Sequence, residues 1–136
     1  MFDPKKNYAD TPHYRELQPL RLPGGWRVGW NTLYKDLDPS TGDLGGSSII
    51  YLSSEGRRFI IDVMFRPEFD PNGRFIIEVT YVPYERTEKG RRRDVPFARH
   101  AGDQIIHTFE TRSYAELVEH LEQQIARCSV WVIEGH

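Results

Sequence analysis

The chain has 136 residues, 38% of them hydrophobic and 28% charged, with 18 Lys and Arg against 20 Asp and Glu for a net charge of −2. That length suits one domain, and 3 Trp, 7 Tyr and 7 Phe are too many aromatics for a disordered tail. The balance is not the strongly basic one of a dedicated nucleic-acid binder, no run approaches the ~18 apolar residues of a membrane span, and the single cysteine, Cys128, excludes an intramolecular disulfide.

A chain of this size buries about two thirds of its unfolded surface, so folding demands no metal or disulfide. Met1-Phe2-Asp3-Pro4 opens no apolar stretch of the secretory kind. With the lone cysteine, this predicts a reducing, cytoplasmic setting.

Residues 1–25 read as a Pro-rich leading segment ahead of a single α+β domain over 26–136. Pro4, Pro12, Pro19, Pro23 and Gly24-Gly25 punctuate it, and Pro disfavours helix at itself and at the residue before. The segment is expected to lie extended over the domain, with a short turn near Tyr14 and Leu17, or to fray in part. From Trp26 the period changes to two. Trp26, Val28 and Trp30 alternate with Arg27, Gly29 and Asn31, the pattern of a half-buried strand that Leu33 and Tyr34 extend towards Asp36. Residues 38–46 are a loop of turn formers.

Three more strands are predicted over 48–52, 58–65 and 74–84. Phe59, Ile61, Val63 and Phe65 share one face of the middle one; Phe75, Ile77, Val79 and Tyr81 share one face of the last. β-Branched and aromatic residues dominate all three. Asp70-Pro71-Asn72-Gly73 joins the last two as a hairpin, with Pro at the second turn position and Gly at the left-handed one. Residues 85–103 are a polar insertion, and a further strand covers 104–110.

Ser113-Tyr114-Ala115-Glu116 is a capping box: the Ser oxygen accepts from the Glu116 N–H and the Glu carboxylate reaches back. Tyr114, Leu117, Val118, Leu121 and Ile125 then form one apolar helical stripe. Arg127 is placed near the helix end, where it suits the dipole. The apolar tail 130–133 reads as a final strand or a plug over the sheet edge. Strands followed by a helix predict an α+β fold: an antiparallel meander of four to six strands, with one C-terminal amphipathic helix packed on one face.

The five histidines, His13, His100, His107, His120 and His136, show no metal-binding spacing. His100, His107 and His120 are placed to converge, with Asp103 nearby, but separate solvated histidines are the plainer reading. No metal, cofactor or catalytic residue is assigned. Cys128 lacks a base placed against it, and a helix-end position would raise its pKa. Asp36, Asp38 and Asp43 flank the Gly-rich loop. Asp62 and Glu78 sit mid-strand, opposite the apolar faces. The hairpin pairs positions whose numbers total roughly 142–144, which makes Asp62 and Glu78 cross-strand or diagonal neighbours. Such a pair suits acid–base chemistry of the glycosidase kind, or an acidic face that docks a basic protein. Arg86, Lys89, Arg91, Arg92 and Arg93 form a basic run able to grip phosphate, diluted by Glu85, Glu88 and Asp94 and without a stacking platform. Gly24-Gly25 and Gly45-Gly46 form no phosphate-cradling motif.

Leu22-Pro23-Gly24-Gly25-Trp26-Arg27-Val28-Gly29-Trp30-Asn31-Thr32-Leu33-Tyr34, followed by Asp36-Leu37-Asp38-Pro39, resembles the opening of small bacterial immunity proteins. These protect cells from polymorphic or contact-dependent growth inhibition toxins and often read LPxGWxVxxNxFYxxDP. Arg58-Phe59-Ile60-Ile61-Asp62-Val63, the Asp70–Gly73 turn and Thr111-Arg112-Ser113-Tyr114-Ala115-Glu116-Leu117-Val118 also fit the type, so the resemblance spans about residues 22–127. The run at Arg91, Arg92 and Arg93 has no counterpart in it.

The resemblance implies a non-enzymatic inhibitor that binds one cognate toxin C-terminal domain, often a nuclease, and blocks its active site or substrate channel. The partner-binding candidates are Asp36, Asp38, Asp43, Asp62, Glu68, Asp70 and Glu78, with Tyr34, Tyr51 and Phe69 as anchors. The alternative is a small enzyme or ligand-binding domain with its site on the sheet face around Asp62, Glu78 and His107. An RNA-binding accessory role rests only on residues 89–93. No membrane partner is expected, nucleic acid is disfavoured, and an exposed edge strand or the 130–133 tail offers a surface for a homodimer. The charge is also uneven. Asp36, Asp38 and Asp43 face Lys35 alone, whereas residues 86–93 hold five bases against Glu88.

Overall fold

Period-two alternation resolves into a five-stranded antiparallel sheet in the order β1-β2-β3-β4-β7. Its strands are β1 (Arg27–Asn31), β2 (Ile50–Ser53), β3 (Phe59–Arg66), β4 (Arg74–Tyr81) and β7 (Gln104–Thr111). A separate two-stranded ladder pairs β5 (Glu85–Arg86) with β6 (Arg92–Arg93). The single long helix, α1 (Tyr114–Ile133), lies across one face of the large sheet. The fold is α+β. The computed structural model describes residues 16–83, 85–86, 92–93 and 102–136. Pro4, Pro12, His13, Tyr14, Tyr84, Lys89, Arg91 and His100 lie outside the described residues.

The helix-facing side is set by alternation. Phe59, Ile61, Val63 and Phe65 of β3 are buried, as are Phe75, Ile77 and Val79 of β4. Leu117, Leu121, Ile125 and Cys128 of α1 close over them in one cluster. Each such apolar side chain contributes about 1.5–3 kcal/mol relative to exposure. The β3–β4 register begins at Arg66 opposite Arg74 and pairs Asp62 directly with Glu78. Residues 67–73 are therefore all loop, which shifts the register from the one a four-residue turn gives.

Several expectations are corrected. β1 stops at Asn31, because the Asn31 Oδ1 accepts from the Leu33 N–H at 2.9 Å and turns the chain. Tyr34 instead forms a bridge with Leu17. A register shift between Val28 and Trp30 leaves Val28 49% and Trp30 56% exposed. Only Trp26 of that series packs against the core, its indole N–H donating to Ser129 Oγ at 2.9 Å. Residues 130–133 are neither strand nor separate plug: no Gly or Pro interrupts α1 before Gly135, whose φ of 91° provides the stop. Arg127 thus lies inside the helix, and the last turn carries no basic residue. Ser113 caps α1 as expected, accepting from the Glu116 N–H at 3.2 Å. The other half of the box is rewired: Glu116 Oε2 accepts from Thr111 Oγ1 at 2.6 Å, and Thr111 Oγ1 accepts from the Ser113 N–H at 2.9 Å.

The leading segment is tied down from Glu16 onward. The Gln18 N–H donates to Leu33 O at 2.7 Å, and the Arg21 N–H donates to Glu122 Oε2 at 2.8 Å. Leu20 and Leu22 pack against the core. Among the described residues, no helix is long and apolar enough to cross a membrane.

Leu121→Ala removes a side chain with no exposed surface and is expected to cost about 2–5 kcal/mol. Ile133→Ala, at a position 86% exposed, is expected to change stability by less than about 0.5 kcal/mol. Urea unfolding of both variants checks the helix assignment through its last turn.

Candidate functional site

Two loops meet at one end of the sheet. The first, residues 32–49, links β1 to β2; the second, residues 67–73, links β3 to β4. The Phe69 N–H donates to Leu44 O at 2.7 Å. Its ring lies over Gly45, so close that a Cβ there would fall 2.6 Å from the Phe69 ring. Glycine is therefore the seat of this ring, which stays 60% exposed. Phe69 itself has a left-handed φ of 58°, uncommon for an aromatic residue. Gly42 meets Pro71 in the same contact.

This junction gathers seven of the ten expected partner-binding residues: Tyr34, Asp36, Asp38, Asp43, Glu68, Phe69 and Asp70. The first four line a cavity of about 420 Å³. Asp38 Oδ1 accepts from Ser40 N–H at 2.9 Å and Ser40 Oγ at 2.8 Å, capping a 3-10 turn at Pro39–Thr41. These bonds, the backbone one first, hold the Asp38 carboxyl below its ordinary pKa. Asp70 Oδ1 accepts from the Asn72 N–H at 2.8 Å and shapes the hairpin tip. Tyr34 O accepts from Tyr114 Oη at 2.6 Å. Burial, with the negative charge of Asp36, pushes that phenol up to about 12.

The basic residues nearby are turned to structural use. Arg66 donates to Gly46 O at 2.9 Å and Ser47 O at 3.0 Å, and pairs with Glu68 at 3.3 Å. Arg112 donates to Gly73 O and to Pro71 O. Lys35 pairs with Glu16 at 2.9 Å. Among the described residues, Asp36, Asp43 and Asp70 form no ion pair.

The other three expected residues lie elsewhere. Register aligns Trp30, Tyr51, Asp62, Glu78 and Thr108 in one row across all five strands, on the face away from α1. Trp30 was not among the expected anchors; its alternation with Arg27 and Gly29 had marked it for partial burial. His107 pairs with Val79 and so faces α1. The residues expected to make an enzyme site, Asp62, Glu78 and His107, are thus divided between the two sides of the sheet.

His107 meets His120 of α1, with Nε2 atoms 2.7 Å apart. The ring planes differ by 14° and the centroids are 5.0 Å apart. The remaining 2.3 Å is one ring radius on either side, so the rings lie head to head in nearly one plane. That is an N–H···N hydrogen bond, one Nε2 donating and the other accepting. Phe109 stacks on His120 at 3.8 Å. Among the described residues, no group of three or more His, Cys, Asp and Glu is placed to hold a metal ion. Cys128 is buried inside α1 rather than at its end, and burial, not the helix dipole, pushes its thiol up to about 12.

No family model matches this chain, and neither a curated protein nor a solved structure does.

Burial lowers the pKa of both paired histidines below 6.5; Arg127 adds to this at each ring, His107 adds to it at His120, and Glu119 opposes it at His120. The unfolded chain therefore takes up protons first as pH falls. Stability from this pair is complete above 6.5 and is lost as pH drops through the folded values. The urea midpoint is expected to fall between about pH 7 and about pH 5. Replacing both residues with Gln is expected to flatten that part of the profile.

Proposed function

We propose that this protein is an immunity protein that binds a cognate bacterial toxin domain in the cytoplasm and neutralises it by protein–protein contact. The observation that carries this reading is the acidic loop junction. Phe69 stands out at 60% exposure on its Gly45 seat, between Glu68 and Asp70 in the chain and bonded to the loop that carries Asp43. Toxin domains that cleave nucleic acid must be basic where they grip phosphate. Carboxylates beside a rigid aromatic knob match such a surface: charge speeds the encounter, and a central buried aromatic supplies affinity.

Arg66 and Arg112 strengthen this match. Arg66 binds carbonyls of the first loop and Arg112 binds carbonyls of the second, which ties each loop to the sheet while Asp36, Asp43 and Asp70 stay without an ion pair among the described residues. The row from Trp30 to Glu78 belongs to a different face and is not needed for the contact proposed.

The test is co-expression with the toxin domain encoded beside this chain. Growth is expected to be restored by the wild-type protein, and absence of both binding and rescue overturns the reading. Phe69→Ala is expected to weaken binding by about 30-fold or more, the range of an aromatic hot spot. Gly45→Ala displaces the ring and is expected to weaken binding in the same direction, while changing stability by less than about 1 kcal/mol. Asp36→Asn with Asp43→Asn is expected to slow association and flatten its salt dependence. Surface plasmon resonance against the toxin domain reads all three.

A further inference from the structure

A groove beside α1 has no counterpart in the sequence reading. It measures about 870 Å³ and lies between the extended segment at residues 18–23 and the outer side of α1. Its helix side mixes apolar and acidic side chains. Ala115, Val118 and Ala126 fall at positions i, i+3 and i+11 of the helix, one side of which they share, with Leu22 across from them. Glu119 and Glu122, at i+4 and i+7, lie on this same side of α1 between the alanines, so small apolar and acidic side chains interleave along the groove, apart from the buried stripe of Leu117, Leu121 and Ile125. The two alanines leave the groove open where longer side chains would fill it.

The rim is acidic. Asp36, Glu119 and Glu122 stand around the groove against Arg21 as its one cationic side chain. Glu122 also accepts from the Arg21 N–H at 2.8 Å, which fixes one wall to the other. Asp36 borders both this groove and the 420 Å³ cavity of the loop junction. Asp36 therefore stands where the groove and that cavity meet.

We propose that the groove takes up a segment of the partner in which basic side chains flank apolar ones. The apolar side chains cover the Ala115, Val118 and Ala126 stripe, and the flanking Arg or Lys groups meet Asp36, Glu119 and Glu122. A volume near 870 Å³ lies within the usual range of about 300–1,000 Å³ for a binding cleft. It suits a short peptide segment rather than a folded domain. An acidic segment is rejected, because its carboxylates would face the same rim at close range. The proposal rests on the reading that this protein docks a basic partner, and it names what that partner inserts.

The test has two arms. In the first, the full chain labelled with ¹⁵N is titrated with acetyl-Arg-Leu-Leu-Arg-amide and, separately, with acetyl-Glu-Leu-Leu-Glu-amide. The cationic peptide is expected to give saturable shifts at Leu22, Val118 and Glu122, weakened by salt and absent with the anionic peptide. Glu119→Lys and the groove-filling Ala126→Tyr, both at exposed helix positions, are each expected to weaken binding at least tenfold with the fold unchanged by circular dichroism. Absent shifts, equal shifts from both peptides, or shifts indifferent to Ala126→Tyr overturn the proposal. In the second arm, Ala126→Tyr is expected to reduce protection against the co-expressed toxin domain. If wild type protects and Ala126→Tyr protects equally, the groove plays no part and the proposal falls while the immunity reading stands. If the cationic peptide binds and wild type gives no protection, the immunity reading falls and the groove's chemistry stands on the titration.

Discussion

One helix must cover a sheet that is wider than it is. Five strands spaced about 4.8 Å apart span about 20 Å, whereas a helix with its side chains is about 10–12 Å across. α1 is placed over β3, β4 and β7, where Leu117, Leu121 and Ile125 meet the phenylalanines and isoleucines of the central strands. The β1–β2 side is left for other elements to bury. Leu33, Leu37 and Ile49 from the long β1–β2 connection do this, with Leu20 and Leu22 from the leading segment and Trp26 beside them. Those elements are precisely placed only because the sheet demands a second cover. The loop junction and the groove beside α1 are both by-products of that demand: one is where the covering loop turns back, the other is the seam between the covering segment and the helix.

The same geometry sorts the charges. An arginine that lies near a loop carbonyl can satisfy it with a charge-assisted bond, and Arg66 and Arg112 between them serve four carbonyls in the two loops, those of Gly46, Ser47, Pro71 and Gly73. Carboxylates have no such use for carbonyls. Asp38 and Asp70 instead accept from backbone N–H groups at turns, which leaves their charge in place at the surface. At this end Arg66 and Arg112 are bonded to loop carbonyls, whereas Asp36, Asp43 and Asp70 form no ion pair among the described residues. In the chain between β4 and β7, the β5–β6 ladder pairs Glu85 with Arg93 and Arg86 with Arg92 antiparallel, so Arg86, Arg92 and Arg93 of the basic run lie on paired strands.

The central strands were legible because alternation over β3 and β4 reports burial by a single neighbour layer. Phe59 through Phe65 and Phe75 through Val79 are buried at every second position. The helix start was legible because Ser113 needs only local geometry to cap it. β1 was legible as a strand, but its burial was not, since the burial of an edge strand depends on how far the helix reaches, which no local pattern encodes. The helix end misled because Val130, Val132 and Ile133 favour strands, yet propensity yields to an unbroken run of helix and to Trp131 packing on Phe59 at 5.5 Å. The His107–His120 pair depends on the position of the irregularity between Val79 and Thr80 in the β4–β7 register, and Phe69 finds Gly45 only when two loops far apart in sequence meet. Spacing offers the approach of His107 and His120 as one of two readings, without its head-to-head geometry, and does not reveal the Phe69 seat at all.

Backbone strain marks the same end of the molecule. Of the three non-glycine residues with left-handed φ among the described residues, Asp36 and Phe69 lie at the loop junction. Each such residue costs on the order of 1–3 kcal/mol and persists only where its surroundings fix it. For Phe69 the fixing contacts are the Leu44 carbonyl and the bare surface of Gly45; for Asp36 they are its neighbours, Lys35 bonded to Glu16 O and Tyr34 to Tyr114. The backbone at both residues is therefore set before any partner arrives, and at Phe69 the ring is seated as well. A side chain already ordered loses little entropy on binding, whereas an unrestrained one gives up about 0.5–1.5 kcal/mol. The strain is met once, by the folding of the domain, and the surface that results is fixed in shape as well as in charge.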